Sequence, residues 1–286
     1  MNDGFVGVIG AGIMGSGIAQ VVAQAQRSVL LVDRSPELVE RAIVAIRERL
    51  ARRVTQDRMT SQEMESTMAN IRPATRLDEL KGSPLMVEAV YEDPHVKLQL
   101  LRELQPFCSK DAIVASNTSA IPISLLSSAV TYPQRFIGMH FFNPVPVMKL
   151  VEVIKSISTR DETVEEIVSF SLAIGKTPVV VSDSPGFVSN RLLVPMINEA
   201  VFVLSEGIAS REDIDTVMKL GANNPMGPLE LADLIGLDTC LHVMEALHSG
   251  LGEDKYRPAP MLRRMVESGL LGRKTDQGFY EYGKFD

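Results

Sequence analysis

His140 and Glu152 stand in the stretch from Phe136 to Ile154, two apolar, β-rich runs flanking a segment that holds Pro144 and Pro146. Proline removes ladder donors, so the chain is expected to turn there and the flanking runs to pair antiparallel. Reflection about Pro146 sets His140 opposite Glu152, and directly opposed residues bring their Cβ atoms within about 5 Å. A carboxylate beside an imidazole fixes its tautomer and stabilises its protonated form, which is what a histidine general base requires. An isolated pair of this kind is more often a core histidine satisfied by an acidic neighbour. Other residues must decide between the two.

A second group of residues suits a nucleotide. Phe5 to Ile9 is a short β-rich run, followed by Gly10-Ala11-Gly12-Ile13-Met14-Gly15 and by helical periodicity from Ser16 to Ala25. Strand, glycine hexad and helix in that order allow a tight turn and close approach of a pyrophosphate to the helix N-terminus. The next run, Ser28 to Val32, ends at Asp33, where an acid is placed to accept from adenosine ribose hydroxyls. A carboxylate there favours NAD over the extra phosphate of NADP.

The elements that must position these groups alternate strand and helix. Ser35-Pro36 opens a long amphipathic helix through Val54, and Thr60-Ser61-Gln62-Glu63 reads as a capping box for a second. Together they form a helical hairpin inserted between strands. Its arginines, among them Arg49, Arg52 and Arg53, fit either a solvated face or phosphate contacts. Leu85 to Val90 is the next strand, Asp93-Pro94 caps the helix to Phe107, and Ala112 to Ala115 is a strand ending in Ser116-Asn117-Thr118-Ser119. Those small polar residues suit a ligand at the sheet's carboxyl edge or turn and cap duties equally. Glu162 to Ile174 reads as helix and Thr177 to Val181 as a last strand; beyond residue 184 only helices follow, Pro228 to Leu251 among them as one run. The fold class is therefore α/β: a Rossmann-type sheet with an inserted helical hairpin over 1–184, and an all-helical domain over 185–286.

The chain has 286 residues and a net charge of −7, which offers no long-range attraction to nucleic acid or an anionic membrane. Cys108 and Cys240 are too few and too separated for a disulfide framework or a metal cluster. No basic leader precedes the first strand, and no apolar stretch approaches about 18 residues, so a cytoplasmic protein is expected.

Several of these stretches together resemble the L-3-hydroxyacyl-CoA dehydrogenase family: Gly10 to Gly15, Val87 to Lys97, Ala115 to Ser119, His140 to Glu152, Asp183 to Arg191, Gly221 to Leu231 and Gly272 to Tyr282. The resemblance implies NAD as cofactor and an acyl-CoA as substrate. It implies His140 as catalytic base with Glu152 as its acidic partner, Ser119 as a group bonding substrate and cofactor, and Asn190 as an orienting group from the helical domain. Glu92, Lys97, Asn143 and Lys274 resemble cofactor-contacting positions, and Arg49, Arg52 and Arg53 lie where the family's hairpin meets coenzyme A. Asp276 departs from the family's usual glycine, and Leu229 from a usual aromatic. A free hydroxyacid as substrate, or NAD binding without catalysis, are the alternatives. The apolar faces of the helical domain are expected to support a homodimer.

Overall fold

β1 (Val6–Ile9) feeds the glycine turn and α1 (Ile13–Gln24) leaves it, as the pattern requires. The computed structural model describes residues 4–283. β2 (Val29–Val32), α2 (Pro36–Thr55), α3 (Ser61–Ala69) and β3 (Ile71–Ala74) follow, then β4 (Leu85–Glu88), α4 (Pro94–Leu104), β5 (Ile113–Ser116) and a short α5 (Ile123–Ser127). β6 (Phe136–Phe141) and β7 (Leu150–Lys155) precede α6 (Asp161–Ala173) and β8 (Thr177–Ser182). The eight strands form one sheet in the order β3-β2-β1-β4-β5-β6-β7-β8, parallel throughout except where β6 meets β7.

β1, β2, β4 and β5 are buried along their whole length, which is why they read as unbroken apolar runs rather than alternating ones. Ile18 and Val22 of α1 and Ile46 and Leu50 of α2 join them in one core. Each such side chain contributes about 1.5–3 kcal/mol on burial. Ser35 caps α2 by accepting from the Leu38 amide, and Thr60 with Glu63 closes the capping box of α3.

The sequence reading misses β3. Its middle residues, Arg72 and Pro73, are exposed, and proline cannot donate to a ladder; both are tolerated because β3 is the outermost strand. It also misses α5, five residues whose first amides are held from outside: Asp183 accepts from Ile123 N at 3.0 Å and Ser124 N at 2.7 Å.

The chain divides into two compact units after Ser184. The second consists of α7 (Ser189–Ser205), α8 (Arg211–Gly221), α9 (Pro228–Ile235), α10 (Leu237–Leu251) and α11 (Pro260–Glu267). The single helix expected over Pro228 to Leu251 is broken at Gly236, whose φ of 102° no continuing helix can accommodate. Leu229, Leu237, Met244 and Val201 centre this unit's core. Two buried aspartates tie the end of the chain to it. Asp233 accepts from Phe279 N, Tyr280 N and the Tyr282 hydroxyl, and Asp215 from Leu229 N, Glu230 N and the Tyr280 hydroxyl.

Candidate active site

β6 and β7 pair in the register that reflection about Pro146 predicts, His140 opposite Glu152. Both are buried, 6% and 2% exposed, and His140 Nδ1 lies 2.8 Å from Glu152 Oε2. An ionised carboxylate can only accept, so Nδ1 carries the proton and Nε2 is the basic nitrogen. The Phe142 ring lies 4.4 Å from the imidazole, centroid to centroid, and limits its rotation. Asn117, at the end of β5, accepts from the Phe141 amide at 2.9 Å, so the strand is also fixed one residue beyond the histidine.

Ser119 lies on the loop after β5 and is held by Glu92. One oxygen of Glu92 accepts from Ser119 N at 2.6 Å, Ser119 Oγ at 3.1 Å, Thr118 Oγ1 at 2.6 Å and Ala120 N at 3.2 Å. The other oxygen faces Lys97 Nζ at 3.2 Å. Burial works to raise the Glu92 pKa, but Lys97 and the Thr118 and Ser119 hydrogen bonds outweigh it and hold the carboxyl below its ordinary value of 4.5. Lys97 is itself fully buried, donating to Glu88 Oε1 at 2.6 Å and to the Val90 carbonyl at 3.3 Å. Glu88 also accepts from Val90 N and from the Ser116 hydroxyl. Glu92 and Lys97 are thus joined to each other and, through Glu92, to Ser119.

The glycine turn fits a pyrophosphate. Gly10 has φ 104°, and a Cβ there would meet the Ala89 carbonyl oxygen at 2.6 Å; a Cβ on Gly15 would overlap the Gly10 carbonyl oxygen at 1.8 Å. Gly12 faces open space, and the N-terminus of α1 has no side-chain cap, so Gly12, Ile13 and Met14 leave the helix end to a ligand. Asp33 is oriented beside it, with Oδ2 accepting from Ala11 N at 2.9 Å and Oδ1 from Ser35 N at 3.1 Å.

The other expected positions fall in both units. Asn143 is exposed in the β6–β7 turn, directly before Pro144. Arg49 donates to Gln20 Oε1 at 2.8 Å and Ser16 Oγ at 3.3 Å, bracing α2 on α1; Arg52 is exposed and Arg53 half-buried. In the second unit, Asn190 is half-buried in the first turn of α7, and Lys274 pairs with Asp238. Asp276 adopts φ 56°, the left-handed conformation that glycine takes easily and aspartate tolerates. Leu229 is fully buried in its core.

Sequence reasoning passed over Glu88, Asn117 as a strand anchor, and Lys176, a buried lysine that donates to the Val145 and Met148 carbonyls of the β6–β7 turn. Glu88 had a signal, a charge closing the otherwise apolar strand Leu85-Met86-Val87. Lys176 had none, since a lysine between a helix and a strand is ordinarily solvated.

A parallel sheet wound this way, with glycines at its first turn and an acid closing its second strand, is the nucleotide-binding half of a dinucleotide-dependent dehydrogenase, and the buried imidazole–carboxylate pair adds a proton acceptor to it. The model of the 3-hydroxyacyl-CoA dehydrogenase NAD binding domain matches residues 5–184, and that of the C-terminal domain matches residues 186–282. The chain belongs to this family and binds NAD through its first unit. It is 49% identical over 275 residues to the probable 3-hydroxybutyryl-CoA dehydrogenase of Bacillus subtilis (strain 168), covering 96% of each chain. It is 44% identical to the mitochondrial hydroxyacyl-coenzyme A dehydrogenase of Homo sapiens, over 97% of this chain and 90% of that one. The crystal structure of (S)-3-hydroxybutyryl-CoA dehydrogenase from Ralstonia eutropha superposes with a TM-score of 0.95 at 46% identity, over 98% of this chain and 99% of that one.

Proposed function

We propose that the protein interconverts an L-3-hydroxyacyl-CoA and the corresponding 3-ketoacyl-CoA with NAD(H), with 3-hydroxybutyryl-CoA as the short-chain substrate. The observation that carries this reading is the 2.8 Å contact between His140 Nδ1 and the buried Glu152 carboxylate. NAD supplies the two-electron acceptor for the carbinol carbon. In the oxidising direction His140 Nε2 takes the hydroxyl proton, and Glu152 stabilises the imidazolium that results. In the reducing direction the same imidazolium returns the proton. General acid–base transfer of this kind contributes about 10²–10⁴-fold. Ser119, whose hydroxyl donates to Glu92, presents its oxygen to further partners as an acceptor. Asn143 and Lys274 would contact the cofactor, and Asn190 would orient the substrate. Arg52 and Arg53 would meet the coenzyme A phosphates, with Arg49 setting the position of the helix that carries them.

We assign residues 1–184 to NAD and residues 185–286 to substrate binding and self-association. Leu192, Ile208, Val217 and Leu220 expose apolar surface on the helical unit, which supports a homodimer formed there. Among the described residues no helix is long and apolar enough to cross a membrane, and both cysteines are unpaired, in keeping with a reducing cytoplasm. Oxidation of NADH by acetoacetyl-CoA tests the assignment, with acetoacetate in parallel. The thioester should turn over and the free acid should not; equal rates with both, or none with either, would remove the acyl-CoA assignment.

A further inference from the structure

The turn that joins β6 to β7 is held by Lys176, which has no part in the chemistry described so far. Lys176 is 7% exposed, and its ammonium donates to the carbonyl of Met148 at 2.7 Å and to that of Val145. The turn has little means of satisfying these carbonyls itself. Pro144 and Pro146 carry no N–H, and the amides of Val147 and Met148 are both spent on the Pro144 carbonyl. The lysine is placed from both sides: its own amide closes α6 onto Ser171 O at 2.9 Å, after Gly175 at φ 74°, and the next amide, Thr177 N, donates to Lys149 O at 2.8 Å. Burial without a carboxylate pushes the ammonium below its ordinary pKa of 10.5, a cost carried for those two carbonyls.

The upper side of the same turn meets the dinucleotide helix. Val145 is 2% exposed, and a Cβ added at Gly17 of α1 would stand 2.8 Å from the Val145 Cβ. Val145 is thus seated on Gly17, a position of α1 without a side chain, two residues past the last glycine of the hexad. Asn143 is two residues before it and His140 five before it along the same hairpin.

We propose that Lys176 is a positioning residue for the reaction: by drawing the Val145 and Met148 carbonyls inward it seats the turn on α1, and so sets His140 and Asn143 in place relative to the glycine turn. The inference rests on the dehydrogenase reading above. Misplacement by about 1 Å can cost a reaction 10²-fold without loss of binding. Loosening this seat should therefore act on kcat more than on cofactor affinity.

The test uses the full-length enzyme with acetoacetyl-CoA and NADH, comparing Lys176→Met, Lys176→Arg and Gly17→Ala with the wild type. We expect kcat to fall about tenfold to a hundredfold in Lys176→Met, with the NADH dissociation constant within about threefold of wild type. The isotope effect with NADH deuterated at the transferred position should rise, because hydrogen transfer becomes slower than the steps around it. Lys176→Arg, which keeps donors for both carbonyls, should recover the greater part of kcat. Gly17→Ala, pressing on Val145 from the other side, should lower kcat in the same way, and it carries the test should Lys176→Met fail to fold. Variants with lowered melting temperature but wild-type kcat and an unchanged isotope effect would show a structural lysine only and overturn the inference. A wild type inactive on the thioester would overturn the dehydrogenase reading and the inference together.

Discussion

Two charge clusters lie in the first unit, one wholly buried and one with a half-buried end at Glu92, and they are built for opposite ends. His140 and Glu152 form a pair with one proton between them, in which the imidazole can gain or lose charge. Glu88, Lys97 and Glu92 form a chain of fixed charges, each end wrapped in donors from Ser116, Val90, Thr118, Ser119 and Ala120. The donors around Glu92, with Lys97, oppose its protonation. The first cluster is equipped to move a proton, the second to keep its charges in place while it orients Ser119. What separates them is their chemistry: one holds an imidazole, which can take up and return a proton, and the other only carboxylates and an ammonium.

The largest expected effect comes from removing the proton carrier. His140→Gln should reduce turnover of acetoacetyl-CoA by about 10²–10⁴-fold, with NADH affinity nearly intact and the melting temperature little changed. Wild-type rates in that variant would dissolve the distinction between the clusters. Lys97→Met should do the reverse. It strands the buried Glu88 carboxylate and the half-buried Glu92 and is expected to cost about 3–5 kcal/mol of stability, read from chemical denaturation. If stability survives and only turnover is lost, Lys97 acts at the chemistry instead.

Acid sharpens the contrast. Because Glu92 is held below its ordinary 4.5 in the folded protein, the stability it contributes is fully present above that value and is lost as the pH falls through its lower folded value. Melting temperatures followed downward from pH 5 should therefore fall less steeply in Glu92→Gln than in the wild type. Parallel curves would mean that Glu92 contributes nothing to the acid limb. The smallest effect is Ser116→Ala, which removes one charge-assisted hydrogen bond from Glu88 and should cost about 1.5–3 kcal/mol with kcat unchanged.

The legibility of these features in the sequence follows from how local their causes are. The glycine turn, Asp33 and the His140–Glu152 register were readable because each depends on residues close along the chain or on the period-two geometry of a hairpin. β3 was not, because Arg72 and Pro73 spoil a strand pattern that only an outer place in the sheet excuses. The break between α9 and α10 hung on the conformation of one glycine, Gly236, inside an apolar stretch. Glu88 and Lys176 were passed over because their partners, Ser116 and the Val145 and Met148 carbonyls, are brought to them by the sheet and by a turn remote in sequence. The family resemblance marked Glu92, Lys97 and Ser119, but the hydrogen bonds that join the three are visible only in three dimensions.

The most direct measurement is the nitrogen-15 spectrum of the His140 ring in the wild-type protein, assigned by its loss in His140→Gln. With a carboxylate accepting at Nδ1, the neutral ring should carry its proton on Nδ1 and show Nε2 as the unprotonated nitrogen, and Glu152→Gln should disturb that tautomer. A ring protonated on Nε2 instead, or one indifferent to Glu152, would leave the proposed base unable to take a proton from the substrate hydroxyl.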